Sequence, residues 1–338
     1  MHKYIKVAAG VIALATLTPT AAFAAPDGQE GAGVVCTSDD YDLPGHLLAK
    51  HLEKDIFEAL KSRESVASVA LYDRKTGIEC TYDENRQQDA ASAIKTVILG
   101  ALLFHNDGPL SSEDDALARK MITASDNASA TTLWKKLSDL TNPSAPNPVR
   151  IQDFLDAVGM KNTVLDKEGF WGLSQVTAAD QLKLLKAFTD NGETGTPVLS
   201  EEARAYALDL MNHVQSDQRW GTPAGAPANA VVHVKNGWLR RSNNPDVDPY
   251  DRLDWKVNSM GAFTGDDYDY GLVVLTENNR VKDGQPAESG WTYGIGTIEG
   301  VAHAVHHDLY PELSTSHSLQ PTRQSLVKQL KLQPQQPR

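Results

Sequence analysis

Cysteine and positive charge are the two things this 338-residue sequence has little of. It holds only Cys36 and Cys80, and 32 lysines and arginines stand against 44 acidic residues, a formal net charge of −12. Two cysteines make at most one disulfide, and alone they do not hold a structural zinc. The acidic balance disfavours nucleic acid as a partner and favours solubility. Beyond residues 1–24 no stretch approaches the ~20 apolar residues of a transmembrane helix. Metal-ligand spacing is lacking too: of His303, His306 and His307 on the last helix only 303 and 307 share a face, with no glutamate or third ligand beside them, and Asp266, Asp267 and Asp269 read as a surface turn. No metal and no cofactor are expected, and no internal repeat is present.

What is there begins with a leader. His2, Lys3 and Lys6 precede the apolar residues 7–17, and Ala22-Phe23-Ala24 supplies small residues for cleavage. Residues 1–24 therefore read as a secretory signal peptide, and the mature protein is expected to be secreted, soluble and monomeric. In an exported protein the two cysteines most simply pair with each other, Cys36 to Cys80. Residues 25–40 read as a flexible lead-in. Residues 313–338, with their glutamines, prolines and scattered basic residues, read as a disordered tail.

Between these ends lies one domain, residues 41–312. Helical periodicity covers residues 43–63, a hairpin follows at 65–72 and 78–82, and then comes a block of helices. Residues 230–240, 255–263 and 268–277 read as three further strands, and a helix at 292–309 closes the domain. The two strand groups are too short to be separate domains. The expected fold is α+β: one five-stranded antiparallel sheet, with the terminal helices on one face and an all-helical block on the other.

The chemistry starts at Ser92-Ala93-Ile94-Lys95, at the head of an apolar helical run. Residues three apart share a helix face, so the lysine amine can lie beside the serine hydroxyl and take its proton. Two further groups follow in chain order, Ser125-Asp126-Asn127 and Lys235-Asn236-Gly237-Trp238. Ser125 is suited to pass a proton to a leaving nitrogen, and Asn127 to donate to a substrate carbonyl. Lys235 would place positive charge near a substrate carboxylate. Gly237 would let the backbone approach, so that the N–H groups of Ser92 and Trp238 form an oxyanion hole. Arg240 and Arg241 are candidates to clamp a carboxylate, with one of the pair facing away because neighbours alternate across a strand. Trp171 and Trp220 are better read as core than as cleft.

This order of motifs resembles that of the class A β-lactamases and the related penicillin-binding DD-peptidases, which carry Ser-x-x-Lys, Ser-Asp-Asn and Lys-Thr-Gly in turn. The stretches Lys120-Met-Ile-Thr-Ala-Ser-Asp-Asn-Ala128 and Val158-Gly-Met-Lys-Asn-Thr-Val-Leu-Asp166 have the texture of that family too. The resemblance implies an active-site-serine hydrolase with catalytic Ser92, Lys95, Ser125 and Lys235, and with Asn127, Asn236, Gly237, Trp238 and Arg240 binding substrate.

Three departures qualify it. The third motif is Lys-Asn-Gly, and the literal Lys75-Thr76-Gly77 sits in a hairpin turn ahead of the nucleophile. Ser125 follows Ser92 by only 33 positions. The omega loop's Glu-x-x-Leu-Asn, whose Glu activates the deacylating water, is absent. Residues 165–172 stand there instead, with Glu168 as the candidate base. The expected function is acyl-enzyme chemistry on an amide, peptide or β-lactam, with weak β-lactam turnover. The alternatives are a true class A β-lactamase, a D-Ala-D-Ala carboxypeptidase or transpeptidase, and a silent wall-binding module.

Overall fold

A computed structural model describes residues 33–39, 43–106, 108–143, 146–190, 196–241 and 254–311. The expected leader (1–24) and tail (313–338) lie outside the described residues. The strands are β1 (Val35–Ser38), β2 (Val66–Asp73), β3 (Ile78–Tyr82), β4 (Gln88–Asp89), β5 (Gln175–Val176), β6 (Val231–Arg240), β7 (Asp254–Thr264) and β8 (Asp269–Arg280). The helices are α1 (Leu43–Leu60), α2 (Ile94–Phe104), α3 (Ser112–Thr123), α4 (Asn127–Lys136), α5 (Val149–Val158), α6 (Ala178–Phe188), α7 (Glu201–Asn212) and α8 (Ser289–Leu309).

The main sheet is antiparallel, in the order β1-β3-β2-β8-β7-β6. It has six strands, not the expected five. The extra strand is β1, drawn from the segment read as a flexible lead-in, and it pairs with β3 so that Cys36 lies opposite Cys80. These two form the disulfide. Four residues beside Gly33 carry too little alternation to announce a strand, and the neighbouring strand and the cross-link make one of them.

One apolar core lies on each face. Between the sheet and the terminal helices α1 and α8 pack Leu52, Ile56, Val69, Leu71, Trp255, Trp291 and Ile298, all fully buried. On the other face α2 to α7 enclose a second core around Ile94, Val97, Ile98, Leu133, Phe154 and Leu185. Helix α2 is the axis of that block: residues 94–103 are all buried, and apart from Lys95 and Thr96 they are apolar all round, as in a central helix. Gly100 in it has the Phe154 ring so near that a Cβ would lie 2.4 Å away.

Local chemistry sets the helix ends. Ser111, Asp126 and Thr177 cap α3, α4 and α6 by accepting from the amides of Asp114, Ser129 and Asp180. Helix α5 stops at Gly159 in the left-handed region, φ 77°. Of the last-helix histidines, His306 is not solvated as its neighbours are. It is wholly buried between the Tyr270 hydroxyl (3.0 Å) and the Thr222 carbonyl (2.8 Å), and burial lowers its pKa to about 4.

Candidate active site

The short ladder of β4 with β5 leads the chain into a 3-10 turn, Ala91–Ala93, from which α2 continues. Ala91 holds φ +49° there without being glycine, a conformation that costs about 1–2 kcal/mol. Such strain persists only where the surroundings over-determine it. Two of the contacts are backbone ones: the Ala90 amide donates to the Ser174 carbonyl at 2.8 Å, and the Ala93 amide to the Ala90 carbonyl at 3.1 Å. Ser92 is half-buried at the head of α2, and Lys95, one turn on, is fully buried.

The chain turn between α3 and α4 brings the second group in. Ser125 also sits in the left-handed region, φ +54°, between the last turn of α3 and the Asp126 cap of α4. The Lys95 amine meets four oxygens: Ser92 Oγ at 3.0 Å, Ser125 O at 2.6 Å, Ser125 Oγ at 3.0 Å and Asn127 Oδ1 at 2.7 Å. The third group arrives on β6, where the Lys235 amine donates to Ser125 Oγ at 3.0 Å and to the Asn236 carbonyl at 2.8 Å.

Counting hydrogens clarifies the protonation state. The Ser125 carbonyl and the Asn127 amide oxygen can only accept, so they occupy two N–H groups of Lys95. In a neutral amine those are all it has, and its lone pair is left for a hydroxyl proton. The surroundings favour that form: burial, and then the charge of Lys235, hold Lys95 well below the ordinary lysine range, while Asp126 pulls the other way. Burial alone lowers Lys235 to about 7. The indole of Trp171 closes this group, its ring centre 4.9 Å from the Lys95 amine and its Nε1 bonded to Thr131 Oγ1 at 3.1 Å.

Gly237 lies against the turn that carries Ser92. A Cβ on it would stand 2.6 Å from the Ala93 nitrogen, 2.7 Å from the Ser92 nitrogen and 3.0 Å from the Ala90 carbonyl oxygen. Trp238, the next residue, carries its side chain away from the turn onto α8, where it stacks on Trp291 at 5.2 Å.

Other residues singled out in the sequence are not gathered with these. Both amide hydrogens of Asn236 go to main-chain carbonyls, Gln218 at 2.8 Å and Trp220 at 2.9 Å. That side chain braces residues 218–220 and has no N–H left to offer a substrate carboxylate. Arg241 pairs with buried Asp89 at 3.5 Å, and Arg240 is half-buried at the end of β6. Glu168 is exposed, in a turn organised by Asp166, whose Oδ1 accepts from the amides of Glu168 and Phe170. Among the described residues no carboxylate is bonded or ion-paired to Ser92 or Lys95. Lys75 of the literal Lys-Thr-Gly, in the β2–β3 turn, donates to the Asp266 carbonyl between β7 and β8. Trp220 is core, as expected, whereas Trp171 borders the site.

Sequence reasoning passed over one residue entirely. Asn258, fully buried on β7, bonds the carbonyls of Asp89 and Ala90 just ahead of Ser92. Its only signal is an amide in the middle of a run of otherwise buried strand residues.

Comparison with known proteins bears on the fold and the family. No curated protein matches the chain in sequence. Among solved structures it is similar to a class A β-lactamase from Bacteroides cellulosilyticus DSM 14838 (TM-score 0.59, 14% identity, covering 78% of this chain and 99% of the other). It is also similar to a β-lactamase from Desulfarculus baarsii DSM 2075 (0.55, 18%, 80% and 99%) and to one from Streptosporangium roseum (0.57, 14%, 77% and 98%). At such identities these likenesses speak for the fold. The model of the β-lactamase enzyme family matches residues 114–290, a stretch that begins after Ser92 and includes Ser125, Asn127 and Lys235. Since that match spans just over half of the chain, the protein belongs to the β-lactamase enzyme family.

Proposed function

We propose that this protein is a secreted active-site-serine hydrolase that forms an acyl-enzyme through Ser92 on an amide, peptide or β-lactam carrying a carboxylate, and that it turns β-lactams over weakly. The observation that carries the reading is the Lys95 amine, buried and with two obligate acceptors, 3.0 Å from Ser92 Oγ. In the reaction Ser92 Oγ attacks the carbonyl carbon as its proton passes to Lys95. Negative charge gathers on the carbonyl oxygen, for which the Ser92 and Trp238 amides are the candidate donors. The carbon–nitrogen bond then breaks, and the proton reaches the leaving nitrogen through Ser125, which touches both lysines.

Deacylation is the weak half. A water attacking the ester needs a base, and the loop where the family carries its carboxylate holds Trp171 against Lys95 and leaves Glu168 exposed. Acyl-enzyme should therefore accumulate. Export is supported by the leader pattern in residues 1–24 and by the disulfide.

Intact-mass spectrometry of the mature protein with benzylpenicillin over time, beside a Ser92→Ala control, tests this. An adduct that persists for hours on wild type alone is the expected result. Rapid loss of the adduct with accumulating penicilloate would make the protein an efficient β-lactamase instead. No adduct with benzylpenicillin or with a fluorophosphonate would remove the hydrolase reading.

A further inference from the structure

We propose that Asn258 is a positioning residue for the nucleophile, holding from β7 the turn that aims Ser92. The inference rests on the serine-hydrolase reading above and adds to it a residue outside the three motifs. Asn258 is fully buried, and its amide nitrogen donates to the Asp89 carbonyl at 2.9 Å and the Ala90 carbonyl at 3.1 Å. Its oxygen accepts from the Thr276 amide at 3.3 Å. One side chain thus joins β7 and β8 to the two residues that precede the strained Ala91.

Its place in the sheet explains why it can reach. Asn258 is the cross-strand partner of Gly237. On this one rung β6 has no side chain, so the nucleophile turn rests on the Gly237 backbone. On the adjoining strand an amide extends to the same turn. The Ala90 carbonyl is where these contacts meet, since it accepts from Asn258 and from the Ala93 amide and lies beside Gly237. Fixing the carbonyls of residues 89 and 90 fixes the peptide planes that lead into Ala91, and with them the direction of the Ser92 N–H and Oγ. A misplacement of ~1 Å at a reacting group can cost ~10²-fold. An alkyl side chain here would leave two carbonyls without this donor and the left-handed Ala91 less constrained.

The test follows acylation of the mature chain by benzylpenicillin, and separately by a fluorophosphonate, using intact mass at several concentrations. Four proteins are compared: wild type, Asn258→Ala, Asn258→Asp and Asn279→Ala. Asp keeps the shape and the acceptor for Thr276 but lacks the amide hydrogens, so it carries the test if the alanine variant does not fold. Asn279 is equally buried on the same sheet and donates to Trp255 O and Thr276 Oγ1, both at 2.9 Å, away from the turn. Expected is a fall of about ten- to hundred-fold in the limiting acylation rate of both Asn258 variants per folded molecule. The concentration for half-saturation should be unchanged, and Asn279→Ala should react as wild type does. Wild-type rates in the Asn258 variants, or an equal fall in Asn279→Ala, would overturn the positioning role. Absence of label on wild type with both probes would overturn the hydrolase reading and this inference with it.

Discussion

The backbone of Gly237 and the amide nitrogen of Ser92 are packed so closely that a single methyl group on the glycine would stand 2.7 Å from that nitrogen. The strand bearing Lys235 and the turn bearing Ser92 are thereby set against each other backbone to backbone, and no side chain intervenes to absorb a change.

Gly237→Ala should therefore act on the site more than on the fold. The atoms in the way are main chain, so the turn or the strand must shift. Overpacking of this kind costs about 1–3 kcal/mol, whereas displacing the Ser92 amide should slow acylation by roughly 10²-fold. Acylation rates and Tm measured on the same preparation check this. A large loss of Tm with unchanged acylation per folded molecule would contradict it.

Lys235 predicts a pH signature. Burial lowers it from 10.5 to about 7. Above about 7 the folded protein lacks a proton that the unfolded chain still binds, so stability from this group rises with pH from about 7 to 10.5. Below about 7 both states are protonated and the full cost of burying an ammonium applies. Lys235→Met removes that cost, so the variant's gain in Tm should be larger at pH 6 than at pH 9, while acylation is lost. A constant difference in Tm across this range would refute the assignment.

The Trp171 ring lies 4.9 Å from the fully buried Lys95 amine. Trp171→Ala relieves the burial that lowers the Lys95 pKa, so that pKa should rise and less of the amine be neutral at pH 7. Acylation at pH 7 should fall and recover at higher pH, moving the pH–rate profile to the alkaline side. Truncating a buried tryptophan should also lower stability by about 3–5 kcal/mol. A profile that keeps its midpoint would show that the indole does not set the base.

The disulfide holds β1 in place. It closes a separation of 44 residues, so Cys36→Ser with Cys80→Ser should cost about 2–4 kcal/mol. Because the cross-link lies at the edge opposite β6, acylation per folded molecule should be unchanged. Tm and labelling, with and without reductant, test both halves.

Much of this molecule was legible in the chain itself. Periodicity marked the terminal helices, the hairpin and the three late strands, and three short motifs named Ser92, Lys95, Ser125, Asn127 and Lys235 as a set. Those readings work because helical and strand spacing, caps and turn residues are local properties of the backbone. Tertiary structure decided what depends on contacts between distant segments. It made β1 a sixth strand by pairing it with β3. It spent the Asn236 amide on residues 218–220, put the Trp171 ring against Lys95 with no carboxylate among the described residues bonded to that amine, and left Glu168 in solvent. It also brought Asn258 to the turn ahead of Ser92 across 168 residues of sequence. A strand asparagine carries no mark of which carbonyl it will meet, because that partner exists only once sheet register and helix docking have closed the distance.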